Sequence, residues 1–564
     1  MRSGCSNEAE VEESPGGWSR GCTAAAVALL LACGVVLSAA MAHYGDVNTD
    51  EGIYLTVSNR VVQGQLPYRD FAYNQPPLLP LVYAASQLGG PSLLHARFTS
   101  VGLIGLLILT LILLGRQLGG WETGLAAGAL LIAHLQVLEV YVLVDSKSVL
   151  VALLACASVA AATSELAPRP RWALALFLGT AAGAAKISGG LVVPLLWAYA
   201  VFWDPVGPAN RLRRAALYGG FVLLSLLVLF GPFVLLAPEK APWFWLCFHL
   251  ERLYRPSVAP QWSHIVNLRG QLRLVPMIAA AAPIALAVVA VLAGGVVARA
   301  MCGREGRAEM ARLYRRHLLV AAAGAVPAVV TWALLPGYRI YYAWLAPFAL
   351  ALAAYGLTAL ARACRVPSLV VVGAVAAVTL IAQCDQLQSI HLPSHSRIRD
   401  AQAIGSYVHG QVPSGRPVVA LSALPCVMEG RLELWPGLEM GTSSVWLDWP
   451  AERARRYHMV NPSMLEECFR QREAGAVLLA EKDVYLLAIP ASVLAALEEE
   501  YRPVRTFPGF AWGPVTVYVP RGRSEDRSTV AGGRAALTEA AARLYNPPLT
   551  GRGAFRPGRI LATA

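Results

Sequence analysis

Residues 46–78 read DVNTDEGIYLTVSNRVVQGQLPYRDFAYNQPPL. The stretch follows an apolar run, TAAAVALLLACGVVLSAAM at 23–41, and precedes another, VGLIGLLILTLILLG at 101–115. It is too polar to lie in lipid and too patterned for an idle linker. Asn48-Thr49-Asp50-Glu51 supplies side chains that cap a helix N-terminus, and Ile53, Tyr54, Val57 and Val61 then recur at helical spacing. Asp50 is therefore a candidate cap as well as a candidate functional acid. Gly64 fits a C-terminal stop, and LPYRDF followed by Pro76-Pro77 cannot prolong a helix. The expected unit is a helix lying along a membrane face with a carboxylate at its start, then a turn back toward the bilayer.

The whole chain agrees with a membrane setting. Of 564 residues, 56% are hydrophobic and 15% charged, with a mean hydropathy of +0.50. Ordinary globular chains carry about a quarter charged residues. Apolar runs expected to span lie at 23–42, 97–115, 122–138, 147–165, 171–187, 189–203, 215–237, 275–298, 317–335, 342–361 and 367–384. With a cytoplasmic N-terminus, the inward breaks hold Arg116, Arg169, Arg171, Arg211, Arg213, Arg214, the arginines of 299–316, Arg362 and Arg365. That is the bias of cytoplasmic loops, so the net charge of +12 reflects topology and not a nucleic-acid face.

The expected architecture is a polytopic α-helical membrane protein of about eleven transmembrane helices. Residues 1–22 form a cytoplasmic tail, and 23–384 the membrane domain with outer loops 43–96 and 238–274. RPVVALS (416–422), AGAVLLAEKD (474–483) and GPVTVYVP (513–520), separated by helical stretches, give a small extracytoplasmic α/β domain over 385–520. Residues 521–564 read as a basic, disordered tail. Cys426 and Cys468 share the outer domain, and their pairing is left open. No Cys/His spacing indicates zinc.

The residues of the first loop resemble a family. An acid followed by Glu51 and Tyr54, then Gly64-x-x-Pro67-Tyr68-x-Asp70, Pro76-Pro77-Leu78 and Arg97 at the second span, are similar to the membrane glycosyltransferases of the GT-C superfamily. The branch resembled is that of protein O-mannosyltransferases and lipid A aminoarabinose transferases, which is like glycosyltransferase family 39. VLVDSKSVLVALL (142–154), GTAAGAAKISGGLVVPLL (179–196) around Lys186, and YYAWLAPFALALAAYGL (341–357) continue the resemblance. Two departures stand out: Lys186 is followed by Ile-Ser where the family often has Gly-Pro, and Arg339 lies one residue further than usual from Tyr341.

The resemblance implies a hexosyl- or pentosyl-type transfer at the outer side of the plasma (inner) membrane. A sugar would pass from a polyprenyl-phosphate donor to a hydroxyl acceptor (lipid, glycan or protein), with inversion at the anomeric carbon. A carboxylate at the membrane mouth suits a general base, and Asp50 is the candidate. Glu51 points about 100° away on a helix, so binding the sugar, orienting a neighbour and facing water stay open for it. Tyr54 and Asp145 are candidate supports. The leaving lipid phosphate gains negative charge, which fixed cations stabilise. The candidates are Arg69, Arg97, Lys186, Arg252, Arg255, Arg269 and Arg339, against a plainer reading as interfacial anchors. Asp145 pairing with Lys147 is a further plain reading. Asp50 and Asp145 leave room for a divalent cation without supplying enough ligands to require one. A transporter or flippase is the alternative, but it predicts paired repeats with broken helices near the midplane, whereas the polar residues here gather at one rim.

Overall fold

The computed structural model describes residues 19–145, 149–203, 210–254, 304–334, 342–383, 398–413, 415–430, 433–480, 483, 489–510 and 513–522. The expected span 275–298, residues 1–18 of the expected cytoplasmic tail and the expected basic tail beyond 522 lie outside the described residues.

The membrane part opens with α1 (Arg20–Tyr44), capped by Ser19, whose hydroxyl accepts from the Cys22 amide at 3.2 Å. Two shorter helices follow, α2 (Thr49–Val62) and α3 (Leu78–Ala84). The chain then builds α4 (Leu93–Gly119), α5 (Trp121–Ala133), α6 (Leu135–Val142), α7 (Val149–Thr163), α8 (Pro168–Ala185), α9 (Val192–Phe202), α10 (Arg211–Leu229) and α11 (Gly231–Leu236). Among the described residues, helices at Arg304–Leu334, Ala346–Ala363 and Ser368–Ala382 also belong to the bundle. α4 and α5 form a tight hairpin because glycines meet across it: a Cβ on Gly115 would lie 2.9 Å from the Gly124 Cα. Only backbone fits there.

By length and composition, four described helical segments can cross a membrane, or five if the pair α5 and α6, bent by 74°, counts as one span. α7, the segment 187–202 and Ser368–Ala382 are apolar but shorter. α10 is 11% buried over its apolar window, and Leu223, Leu224, Leu227 and Val228 are all more than half exposed. Such an apolar surface has no partner in water, and hydrocarbon is its natural solvent.

Residues 398–522 hold a four-stranded sheet of order β1-β2-β4-β3, with β1 (Val418–Ala420) parallel to β2 (Ala476–Ala480). β4 (Gly513–Pro520) runs antiparallel to β2 and to β3 (Tyr501–Phe510). β1 and β2 are buried along their whole length, as strands covered on both faces should be. Helices Ile398–Gln411, Pro462–Arg470 and Ala491–Glu500 supply the cover. Cys426 and Cys468 are buried free thiols, so no disulfide joins them.

The sheet-bearing segment sits directly on the chain that follows α1 and on residues 239–251. A Cβ on Gly52 of α2 would lie 2.5 Å from the Leu424 amide nitrogen, so the helix beginning at Leu424 touches α2 backbone to backbone. Trp243 packs against Trp449 at 5.1 Å, Tyr457 at 4.8 Å and Trp446 at 5.8 Å between ring centres. Polar contacts rim this aromatic nest. Arg453 pairs with Glu251 at 3.3 Å, and Glu239 accepts from both Arg456 and the Tyr457 hydroxyl. Lys240 Nζ and the Arg69 carbonyl oxygen both lie within 2.9 Å of His458 Nε2.

Candidate active site at the mouth of the bundle

The first turn of α2 is built by reciprocal capping. Asn48 Oδ1 accepts from the Asp50 amide at 2.9 Å, while the Asn48 amide donates to Glu51 Oε2 at 2.9 Å. The cap is thus Asn48. Asp50 stands at the second helical position, half-buried, where the helix N-terminus favours a negative charge.

Glu51 is fully buried and does not face water. Its Oε1 accepts from Arg97 Nε at 2.9 Å and from the Val144 amide at 3.1 Å, and its Oε2 accepts from Arg97 NH2 at 2.6 Å as well as from Asn48. Arg97, equally buried, also donates to the carbonyls of Ala42 and Gly45 at 3.2 Å each and of Asp46 at 2.6 Å. An arginine has five N–H donors, and these five contacts use them all. The expectation that Arg97 binds the donor phosphate is therefore corrected, because its guanidinium is saturated and sealed from solvent. Sugar binding by Glu51 fails for the same reason. The pair is a structural knot that ties the end of α1, the start of α2, α4 and the loop after α6. That loop carries Asp145, buried beside Val144, so one knot positions both Asp50 and Asp145.

The wall next to this knot is aromatic. Tyr54 meets Tyr73 edge to face, 6.4 Å between ring centres. Tyr68 holds a left-handed conformation (φ 70°) in the turn after Pro67 and donates through its hydroxyl to the Gln75 carbonyl at 2.5 Å. Phe233, Phe244 and Trp245 surround its ring at 5.5–6.0 Å. His249 Nε2 lies 2.7 Å from the Asn74 carbonyl and 3.4 Å from Gln75 Nε2. Burial drives the Tyr68 and Tyr73 phenols well above their ordinary pKa, so both stay neutral.

Of the remaining candidate cations, Arg69 and Lys186 have described side chains. Arg69 is on the same turn but half-exposed, and it chelates Asp70 at 2.7 and 2.9 Å, which holds the Asp70 carboxyl below its usual range. Lys186 is buried at the extended residue between α8 and the 3-10 turn Ile187–Leu191. Arg252 belongs to the helix Phe248–Tyr254, with its side chain outside the described residues. Arg255, Arg269, Arg339 and Lys147 lie outside them entirely. Among the described residues, no group of three or more His, Cys, Asp or Glu side chains is arranged to hold a metal ion. Sequence reasoning passed over Tyr73 and Gln75, whose place beside the Pro-Pro corner was the available signal.

No family model matches the sequence, and no curated protein matches it. Solved structures do match. The ArnT of Cupriavidus metallidurans bound to undecaprenyl phosphate superposes with a TM-score of 0.56 at 15% identity, over 89% of this chain and 98% of that one. The oligosaccharyltransferase of Archaeoglobus fulgidus in its apo form gives 0.52 at 12% identity, over 90% and 76%. That organism's AglB in complex with an inhibitory peptide and a dolichol-phosphate gives 0.52 at 10%, over 91% and 76%. ArnT and AglB are GT-C glycosyltransferases, and theirs is the fold of this chain.

Proposed function

We propose that this protein transfers a sugar from a polyprenyl-phosphate donor to a hydroxyl acceptor (lipid, glycan or protein) at the outer face of the plasma membrane, inverting the anomeric centre. The observation that carries the reading is the likeness in fold, over 98% of its length, to an ArnT bound to undecaprenyl phosphate. Asp50 is the general base. It takes the acceptor proton as the acceptor oxygen bonds to the anomeric carbon, and the bond from that carbon to the phosphate oxygen breaks with its electrons going to the phosphate. Tyr54 and Asp145 line the sugar, and Lys186 faces the growing phosphate charge. Arg69, Arg252, Arg255, Arg269 and Arg339 are further cations for the donor, and Arg97 acts through Glu51 to hold Asp50 in place.

Membranes supplied with a labelled polyprenyl-phosphate sugar test the reading. Asp50→Asn removes the base and should abolish transfer at normal expression. Full activity in that variant refutes the assignment.

A further inference from the structure

Tyr73 lies between Phe71 and the Pro76-Pro77 corner and is fully buried. Its ring is fixed by Tyr54 at 6.4 Å and Tyr68 at 6.2 Å. Neighbouring phenols are satisfied: Tyr68 donates to the Gln75 carbonyl, and the Tyr83 hydroxyl bonds Ser100 Oγ at 2.7 Å. The Tyr73 hydroxyl has no hydrogen-bond partner among the described residues. A buried hydroxyl left unpaired destabilises a fold, and phenylalanine would fill the same space without that penalty. Glu51, which accepts from the Val144 amide next to Asp145, lies three residues before Tyr54, the ring packed on Tyr73, so Asp145 and the unmet hydroxyl belong to the same wall. Burial keeps that phenol a neutral donor.

We infer that the Tyr73 hydroxyl donates a hydrogen bond to a hydroxyl oxygen of the transferred sugar, whose own proton is accepted by Asp145. A sugar hydroxyl is donor and acceptor at once and fits between a phenol and a carboxylate. A phosphate oxygen only accepts, and its charge would meet that of Asp145 in a site where both side chains are almost wholly buried. The inference rests on the glycosyltransferase reading and adds a residue that selects the sugar.

The test uses the full chain in nanodiscs with polyprenyl-phosphate mannose, glucose, galactose and aminoarabinose as donors. On the donor that the wild type turns over, Tyr73→Phe should lower kcat/KM about tenfold, the size of one net hydrogen bond. Its melting temperature should be unchanged or higher. Among monodeoxy analogues of that sugar, one should lose about tenfold with the wild type and nothing further with the variant, because the bond is already gone. Unchanged kcat/KM in Tyr73→Phe, with Asp50→Asn inactive, overturns the role of Tyr73 and leaves the glycosyltransferase reading standing. A lowered melting temperature in Tyr73→Phe makes the hydroxyl structural and also overturns the inference. Absence of turnover by the wild type with every polyprenyl-phosphate sugar offered, these four and the lipid-linked sugars extracted from the native membrane, overturns the reading itself, and the inference with it.

Discussion

Arg97 of α4 and Glu51 of α2 meet at 2.6 Å with both side chains fully buried, and every guanidinium N–H is taken by Glu51 or by a carbonyl between residues 42 and 46. Burying two charges is costly, so such a pair is weak evidence of net stability, whereas breaking it leaves one charge unmatched at about 3–5 kcal/mol. Glu51→Gln should therefore unfold at markedly lower temperature and lose transfer in parallel. The double variant Glu51→Gln/Arg97→Met should be less destabilised than the sum of its singles. Thermal unfolding of the four proteins in one detergent checks this, and strict additivity would contradict the knot.

Gly52 sits two positions from Asp50, about 200° around the helix, so its contact with the Leu424 backbone is on the far side from the proposed base. Gly52→Ala forces a methyl into a backbone nitrogen, which cannot rotate away as a flexible side chain can. Overpacking of this kind costs about 1–3 kcal/mol. The expected outcome is faster protease cleavage between the membrane helices and the sheet-bearing segment, with the membrane helices themselves unaffected. Equal cleavage rates would show that the segment is not seated on α2.

The docking contact at His458 should weaken in acid. Burial, then the nearby Lys240 ammonium, lower the His458 pKa, while the Arg69 carbonyl and Asp70 pull the other way. Nε2 cannot both accept from Lys240 and donate to the Arg69 carbonyl, and the neutral imidazole that accepts from Lys240 is the form the lowered pKa favours. The folded state thus holds fewer protons than the unfolded one. This stability is present above the unfolded value, about 6.5, and is lost as pH falls through the lower folded value. Glu439, whose carboxyl is raised by burial, acts in the opposite sense at lower pH, so the comparison with His458→Gln isolates the histidine. Between pH 7.5 and pH 5.5 the melting temperature of wild type should fall more than that of His458→Gln; parallel slopes would remove His458 from the contact.

Local features near Asp50 were legible because they are local. Asn48 through Glu51 spelled a helix start, and Gly64, at φ 81°, follows the end of α2. The partner of Glu51 was not legible, since nothing in the sequence links it to Arg97 across 46 positions or to Val144 across 93. An arginine entering a span looks the same whether it awaits a phosphate or is chelated by carbonyls. β3 was missed because YRPVRTFPGF carries two prolines, which an interior strand does not tolerate. It lies at the sheet edge, where the missing amide hydrogens do no harm. The resemblance carried by the first loop did anticipate the fold, because that loop combines a capped acid, a tight turn and a Pro-Pro corner in fixed order.

The crowding of Trp243, Trp446 and Trp449, with the latter two 4.6 Å apart between ring centres, gives the molecule a built-in optical gauge. Indoles this close couple their transitions, and one of the three belongs to the segment Trp243–Cys247 while the other two belong to the sheet-bearing segment. Near-ultraviolet circular dichroism would therefore register separation of the two parts without any added dye.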